Sequence, residues 1–253
     1  MRLTTRTGTA MLALVLAGGA ATALSAQNYG LPLFTNPRIS TGIRLHADFG
    51  RPGDAITLPD GSTADLTIFQ AGLSFAIGPV GINAAVAANQ ADITACSNQS
   101  TQCDVNTTAS AGVLAQIKAY GGGRRNVSVS LFGGASTDIT AWDVATSGEL
   151  PKQLNIPLGV AIGYRIPLGV ASLNVWGAPR YSVQKFVNCS AGNQQVCDTS
   201  EGNFRWAVGA DLPIFRVLSV RAAYDSGKVG SGTNKQTLSF FGAGVSFGFG
   251  GMR

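Results

Sequence analysis

The stretch that decides the fold is residues 155–184, NIPLGVAIGYRIPLGVASLNVWGAPRYSVQ. Large apolar side chains occupy alternate positions from Ile156 to Ile166, and small or charged residues stand between most of them. After a Pro-Leu-Gly turn, the same alternation resumes at Ala171. Period-two patterning on both sides of a tight turn predicts two antiparallel strands joined as a hairpin.

The same pattern defines ten strand segments along the chain. They are residues 39–49, 65–77, 80–92, 107–120, 126–138, 155–166, 170–185, 203–212, 217–226 and 236–249. Most of them are long enough for a tilted membrane strand, which needs about 9–11 residues. Tight turns and long polar loops alternate between the segments, as they do in outer-membrane barrels. The sequence therefore predicts an all-β, transmembrane, antiparallel up-and-down β-barrel of about ten strands, within a range of about eight to twelve because segment boundaries are soft.

Sorting the residues of each strand into odd and even positions, which we call parity, separates an apolar face from a polar one. The polar face carries ten ionisable residues: Arg44, His46, Asp48, Lys118, Arg165, Arg180, Arg205, Asp211, Arg221 and Asp225. Burying this set in a dry core would strand many charges, each at a cost of several kcal/mol. We therefore expect these residues to face a narrow, partly hydrated lumen, where they can pair with each other, and the apolar face to contact lipid. A soluble, lipocalin-like barrel is the alternative, and the inward charges disfavour it.

The N-terminus has the layout of a secretory signal peptide, with Arg2 and Arg6 ahead of an apolar run and small residues at a cleavage point. We expect residues 1–26 to be this signal peptide, cleaved after Ala26 or alternatively after Ala23. A retained anchor helix is the other interpretation. Residues 27–38 are then a periplasmic lead or a plug, and residues 39–253 form the outer-membrane barrel domain.

Composition excludes two other classes of protein. Charged residues make up 12% of the chain and hydrophobic residues 45%. A disordered chain has the reverse composition, with many charged and few hydrophobic residues. The formal net charge of +5 is small and scattered, so no nucleic-acid partner is predicted. After residue 26 no run of about 18 apolar residues occurs, so no spanning helix is expected in the mature chain.

The mature chain resembles the small outer-membrane β-barrel family of Gram-negative bacteria, the group of OmpA- and OmpX-like barrels. The resemblance rests on the signal peptide, the alternating strands and the final strand KQTLSFFGAGVSFGF, which ends in the aromatic Phe249. It implies residence in the outer membrane, contact with outer-membrane lipid, and recognition of the last strand by the barrel-assembly machinery. Four further residues follow Phe249, which departs from the usual aromatic terminus. The family fold hosts many functions, so the resemblance implies no site residues and no cofactor.

The four cysteines form two close pairs, Cys96 with Cys103 and Cys189 with Cys197, each within a predicted long loop. An exported chain passes through an oxidising compartment, which predicts one local disulfide in each loop. Zinc is the alternative, but neither pair has Cys-x₂₋₄-Cys spacing and the single His lies elsewhere. No metal site is predicted.

These features favour a monomeric, non-enzymatic outer-membrane protein with a structural or surface-binding role, acting through its disulfide-closed extracellular loops on a possible extracellular ligand. A narrow, anion-preferring channel is the second hypothesis, because basic residues outnumber acidic ones on the lumen face. An outer-membrane enzyme that uses His46, flanked by Arg44 and Asp48, is the third.

Overall fold

Ten strands form the barrel in this computed structural model. The structure describes residues 34–39, 41–53, 56–57, 63–94, 107–121, 125–140, 143–144, 148–149, 152–169, 171–187, 200–215, 217–229 and 236–249. The strands are β1 Gly42–Pro52, β2 Thr63–Ile77, β3 Val80–Thr94, β4 Thr108–Gly121, β5 Val127–Asp138, β6 Lys152–Leu168, β7 Ala171–Val187, β8 Ser200–Pro213, β9 Leu218–Val229 and β10 Gln236–Phe249. Among the described residues, no helix is both long and apolar enough to cross a membrane.

Each strand pairs antiparallel with its neighbours in the chain, and β10 returns to pair with β1. This closing seam runs from Ile43 opposite Phe249 to Pro52 opposite Phe240. The predicted fold class, a closed antiparallel barrel of ten strands, is therefore confirmed.

The connections divide the barrel into two ends. At one end β2 joins β3 through Gly78 and Pro79, and β6 joins β7 through residues 169–170. Gly78 and Gly169 have φ angles of 56° and 68°, a left-handed conformation that glycine adopts at little cost. We call this the turn end, and the opposite end, where the long connections leave the strands, the loop end.

The two faces of each strand differ as the alternation predicts. In β6, for example, Leu158 is 68% exposed on the outside, whereas Pro157 beside it is buried. The outer surface presents a belt of large apolar side chains that includes Leu45, Phe69, Leu73, Ile117, Leu131, Ile162, Phe204, Val208, Phe241 and Val245. The outside of the barrel is thus apolar, and the functional candidates lie inside.

The first strand begins later than the sequence predicts. The pattern indicates a strand from residue 39, but β1 begins at Gly42, whose φ is 121°. The physical reason is that Pro37 and Ile39 belong to a short segment that folds into the barrel. The sequence predicts that this segment ends at residue 38, and the structure shows that Ile39 belongs to it as well.

Candidate functional site in the barrel lumen

Asp48 organises the polar network nearest the turn end. Arg221 donates to both carboxylate oxygens of Asp48, with Nε 2.7 Å from Oδ1. Gln70 Nε2 donates to Asp48 Oδ2 at 3.2 Å, and His46 Nδ1 lies 2.9 Å from the same oxygen. The other ring nitrogen of His46 lies 3.1 Å from Asn83 Oδ1. Both nitrogens of the imidazole are therefore engaged by the protein.

Asp211 holds a short segment of chain inside the barrel. Its Oδ2 accepts from Trp176 Nε1 at 2.8 Å and from Asn36 Nδ2 at 2.9 Å. Gln116 Nε2 donates to the carbonyl oxygen of Asn36 at 2.9 Å. Because Asp211 lies on β8 and Gln116 lies on β4, Asn36 is bonded to opposite walls of the barrel.

Asn36 belongs to a short segment, residues 34–39, and other residues of this segment also contact the inner wall. We call residues 34–39 the lumen segment. The guanidinium of Arg221 lies over the ring of Phe34, 4.5 Å from its centroid. Arg38 donates to the carbonyl of Arg125 near the turn end. Thr35 and Pro37 are fully buried. The preceding residues 27–33 lie outside the described part of the chain.

Pro37 of the lumen segment packs against the inner wall at Gly163 of β6, where the wall carries no side chain. A Cβ built on Gly163 of β6 would sit 2.7 Å from Pro37 Cγ, closer than carbon atoms approach in proteins. Glycine at this inner position therefore leaves room for the segment.

A second ion-pair cluster lies near mid-height of the barrel. Asp225 is fully buried and accepts from Arg180 Nη2 at 2.6 Å and from Arg205 Nη2 at 2.8 Å. Arg180 and Arg205 are directly opposite each other in the register of β7 and β8. Two guanidinium groups thus share this carboxylate in the interior.

Apolar side chains fill much of the remaining lumen. One buried cluster contains Leu66, Ile68, Ala87, Leu238 and Phe240, and a second contains Leu114, Phe132, Ala161, Trp176, Ala178, Ala207 and Ala223. Phe34 of the lumen segment packs against both clusters. The parity argument treats the inner face as polar or small, so it does not identify Phe132 and Phe240 as lumen-filling residues.

A cavity of about 110 Å³ remains at the turn end. Its lining includes Arg44, His46, Asn83, Asp211 and Arg221, together with Arg38 of the lumen segment. Lys118 and Arg165 also lie half-buried on the inner face of β4 and β6. Within the described residues, no group of three or more His, Cys, Asp or Glu side chains is placed to hold a metal ion.

The structure brings together eight of the ten ionisable residues that the sequence assigns to the lumen. His46, Asp48 and Arg221 share the first network, and Arg180, Arg205 and Asp225 form the second. Asp211 and Arg44 line the cavity beside the first network. The four cysteines fall outside the described residues.

Two residues that the sequence analysis did not select also build the site: Phe34 and Asn36. Gln116 stands two residues before Lys118, so the alternation already assigns it to the polar face, and it bonds to Asn36 in the lumen. Phe34 and Asn36 precede the first strand, and no periodicity marks them.

Comparison with known proteins gives the fold. No family model matches the chain, and no curated protein matches it. Among solved structures, the β domain of the Bordetella autotransporter BrkA is similar over 83% of this chain and all of that one, with a TM-score of 0.55 and 10% identity. The translocator domain of the autotransporter NalP from Neisseria meningitidis has a TM-score of 0.46 and 14% identity over 83% of this chain and 90% of that one. The transport unit of the autotransporter AIDA-I from Escherichia coli has a TM-score of 0.44 and 11% identity over 98% of this chain and all of that one.

At 10% identity, the similarity to the BrkA domain extends to the fold alone. A narrower membership in the OmpA- and OmpX-like group stays a prediction. What is shown is that this chain has the closed, antiparallel β-barrel fold of outer-membrane proteins.

Proposed function

We propose that the chain is a non-conducting outer-membrane β-barrel with a structural or surface-binding role, its tight turns in the periplasm and its long loops outside the cell. The observation that carries this proposal is the filled lumen. The lumen segment, two ion-pair networks and two apolar clusters occupy the space through which solutes would pass. Ten strands are also close to the barrel size that side chains alone can fill.

The outer membrane is the compartment that suits the outer surface. Residues such as Leu158 and Phe204, 68% and 61% exposed, would be poorly solvated in water and well solvated by lipid tails. A closed barrel satisfies its backbone polar groups internally, as residence in lipid requires. We further propose that the protein is a monomer and that β10, with Phe249 at its end, binds the barrel-assembly machinery during insertion.

The engagement of His46 supports a non-enzymatic role. Asp48 and Asn83 occupy its two ring nitrogens, so a proton transfer to a substrate would first require one of these contacts to break. The same geometry suits a residue that fixes β1 against β3.

We expect the refolded mature chain to give no stepwise conductance in a planar bilayer. The lumen segment and the buried clusters of the described residues occupy the lumen that hydrated ions would have to cross. Heat-modifiable gel mobility on the same sample establishes that the barrel has inserted and folded. A variant without residues 27–39 is the comparison, because steps that appear only there would identify the lumen segment, rather than the packed side chains, as the part that blocks the barrel. Steps with anion preference from the full mature chain would contradict the proposal and favour the narrow channel.

The surface-binding part of the proposal depends on the long loops. We expect Cys96 to be linked to Cys103 and Cys189 to Cys197 in protein isolated from the outer membrane. Local closure would restrict both loops and present a rigid surface to an extracellular ligand. Peptide mass spectrometry without reduction measures the pairing directly. Free thiols, or links between the two loops, would contradict it.

A further inference from the structure

We propose that the inner wall around Arg180 binds a small inorganic anion of about the size of chloride. The inference goes beyond the proposed function and does not depend on whether the barrel conducts. It rests on the donors of Arg180, the charge of its cluster and the shape of the wall beside it.

The first observation is a buried cation with unused donors. The Arg180 side chain is fully inaccessible to solvent. Its Nη2 donates to Asp225, but among the residues that the structure describes, Nε and Nη1 have no hydrogen-bond partner. Nearly all buried polar groups in proteins are hydrogen-bonded, and exceptions commonly mark a bound water or ion. Ser182, on the same face of β7 two residues further on, is also buried, and its Oγ has no partner within the described part of the chain.

The second observation is the sign of the charge. Arg180 and Arg205 both bond to Asp225, so the three side chains carry a net charge of about +1 in a region of low dielectric. Like charges directly opposite in a sheet repel each other, and these two arginines occupy that relation. A water molecule would accept a hydrogen bond from Arg180 but would leave the charge uncompensated. An anion does both.

The third observation limits the size of the ligand. Gly159 of β6 lies opposite Arg180 in the register. A Cβ at Gly159 would sit 2.6 Å from Phe132 Cζ and 2.7 Å from Arg180 Cβ, so this side of the arginine is already filled. A ligand would therefore have to approach Arg180 from another side, and this restriction favours a single small ion over a larger anion. The Ser182 hydroxyl would be its second donor.

The test is the thermal stability of the folded mature protein in sodium chloride and in sodium gluconate at equal ionic strength. A ligand that binds only the native state raises the melting temperature with its concentration. We expect a rise of roughly 3–6 °C when chloride is ten times its dissociation constant. Arg180→Gln should abolish this difference between the two salts. Arg51→Gln should keep it, because Arg51 is 56% exposed in a pair with Asp65 on the outside.

Two outcomes would overturn the proposal. Equal melting temperatures of the wild-type protein in the two salts would leave a bound water as the partner of Arg180. An unchanged chloride effect in Arg180→Gln would place the effect elsewhere. If Arg180→Gln does not fold, Ser182→Ala decides. A shift of the chloride dependence to higher concentration supports the site, and an unshifted dependence overturns it.

Discussion

Replacing Asp225 by Asn should cost about 3–5 kcal/mol of the free energy of unfolding, because it leaves buried charges uncompensated. The substitution keeps the shape of the side chain and removes its charge. Arg180 and Arg205 would then face each other across β7 and β8 without the carboxylate that they share. Neither the side chain of Asp225 nor that of Arg180 is exposed, so water cannot compensate for the loss without entering the wall.

Denaturant unfolding of the refolded protein in lipid vesicles measures this cost, in chloride-free buffer so that a bound anion does not offset it. Asp65→Asn is the matched control. Asp65 pairs with Arg51 at 3.8 Å with both side chains more than half exposed, and such pairs contribute about 0–1 kcal/mol. Equal losses in the two variants would show that the buried cluster is not important for stability.

Replacing Leu158 by Arg should cost about 2–4 kcal/mol in lipid vesicles, since it places a charge on the lipid-facing surface far from either strand end. Leu158 lies in the middle part of β6, and its side chain is 68% exposed on the outer face. Leu168, at the end of the same strand, is 51% exposed, so Leu168→Arg is a matched control near the expected edge of the bilayer. There the cost should fall to about 0–1 kcal/mol.

The same pair of variants tests membrane residence. Unfolding followed by tryptophan fluorescence in vesicles gives both free energies. A soluble barrel would expose both leucines to water, and both substitutions would then have small and similar effects. Similar costs at the two positions would therefore contradict a lipid-facing surface.

The sequence predicts the strands well because one physical constraint governs them. A strand with lipid outside and polar groups inside must alternate along its length, and the alternation places Leu158 outside and Asp48 inside. The alternation of tight and long connections is set by the same up-and-down topology. These features are local, so neighbouring residues suffice to reveal them.

The contents of the lumen depend on contacts between distant strands. Asp225 meets Arg180 and Arg205 only through the joint register of β7, β8 and β9. Parity shows that all three point inward but does not show which acid meets which base. The lumen segment is harder still to identify. Phe34 and Asn36 belong to no periodic pattern, and their partners on β4, β8 and β9 are far away in the chain.

The seam between β1 and β10 has a consequence for the order of folding. Every other pairing among the ten strands joins neighbours in the chain, so each can form as a hairpin with a modest loss of chain entropy. The seam joins Ile43 to Phe249, from opposite ends of the barrel sequence, and it bears the largest entropic cost of closure. We therefore expect it to close last. Because the lumen segment immediately precedes β1, this final closure is also the step in which Phe34 and Asn36 are enclosed.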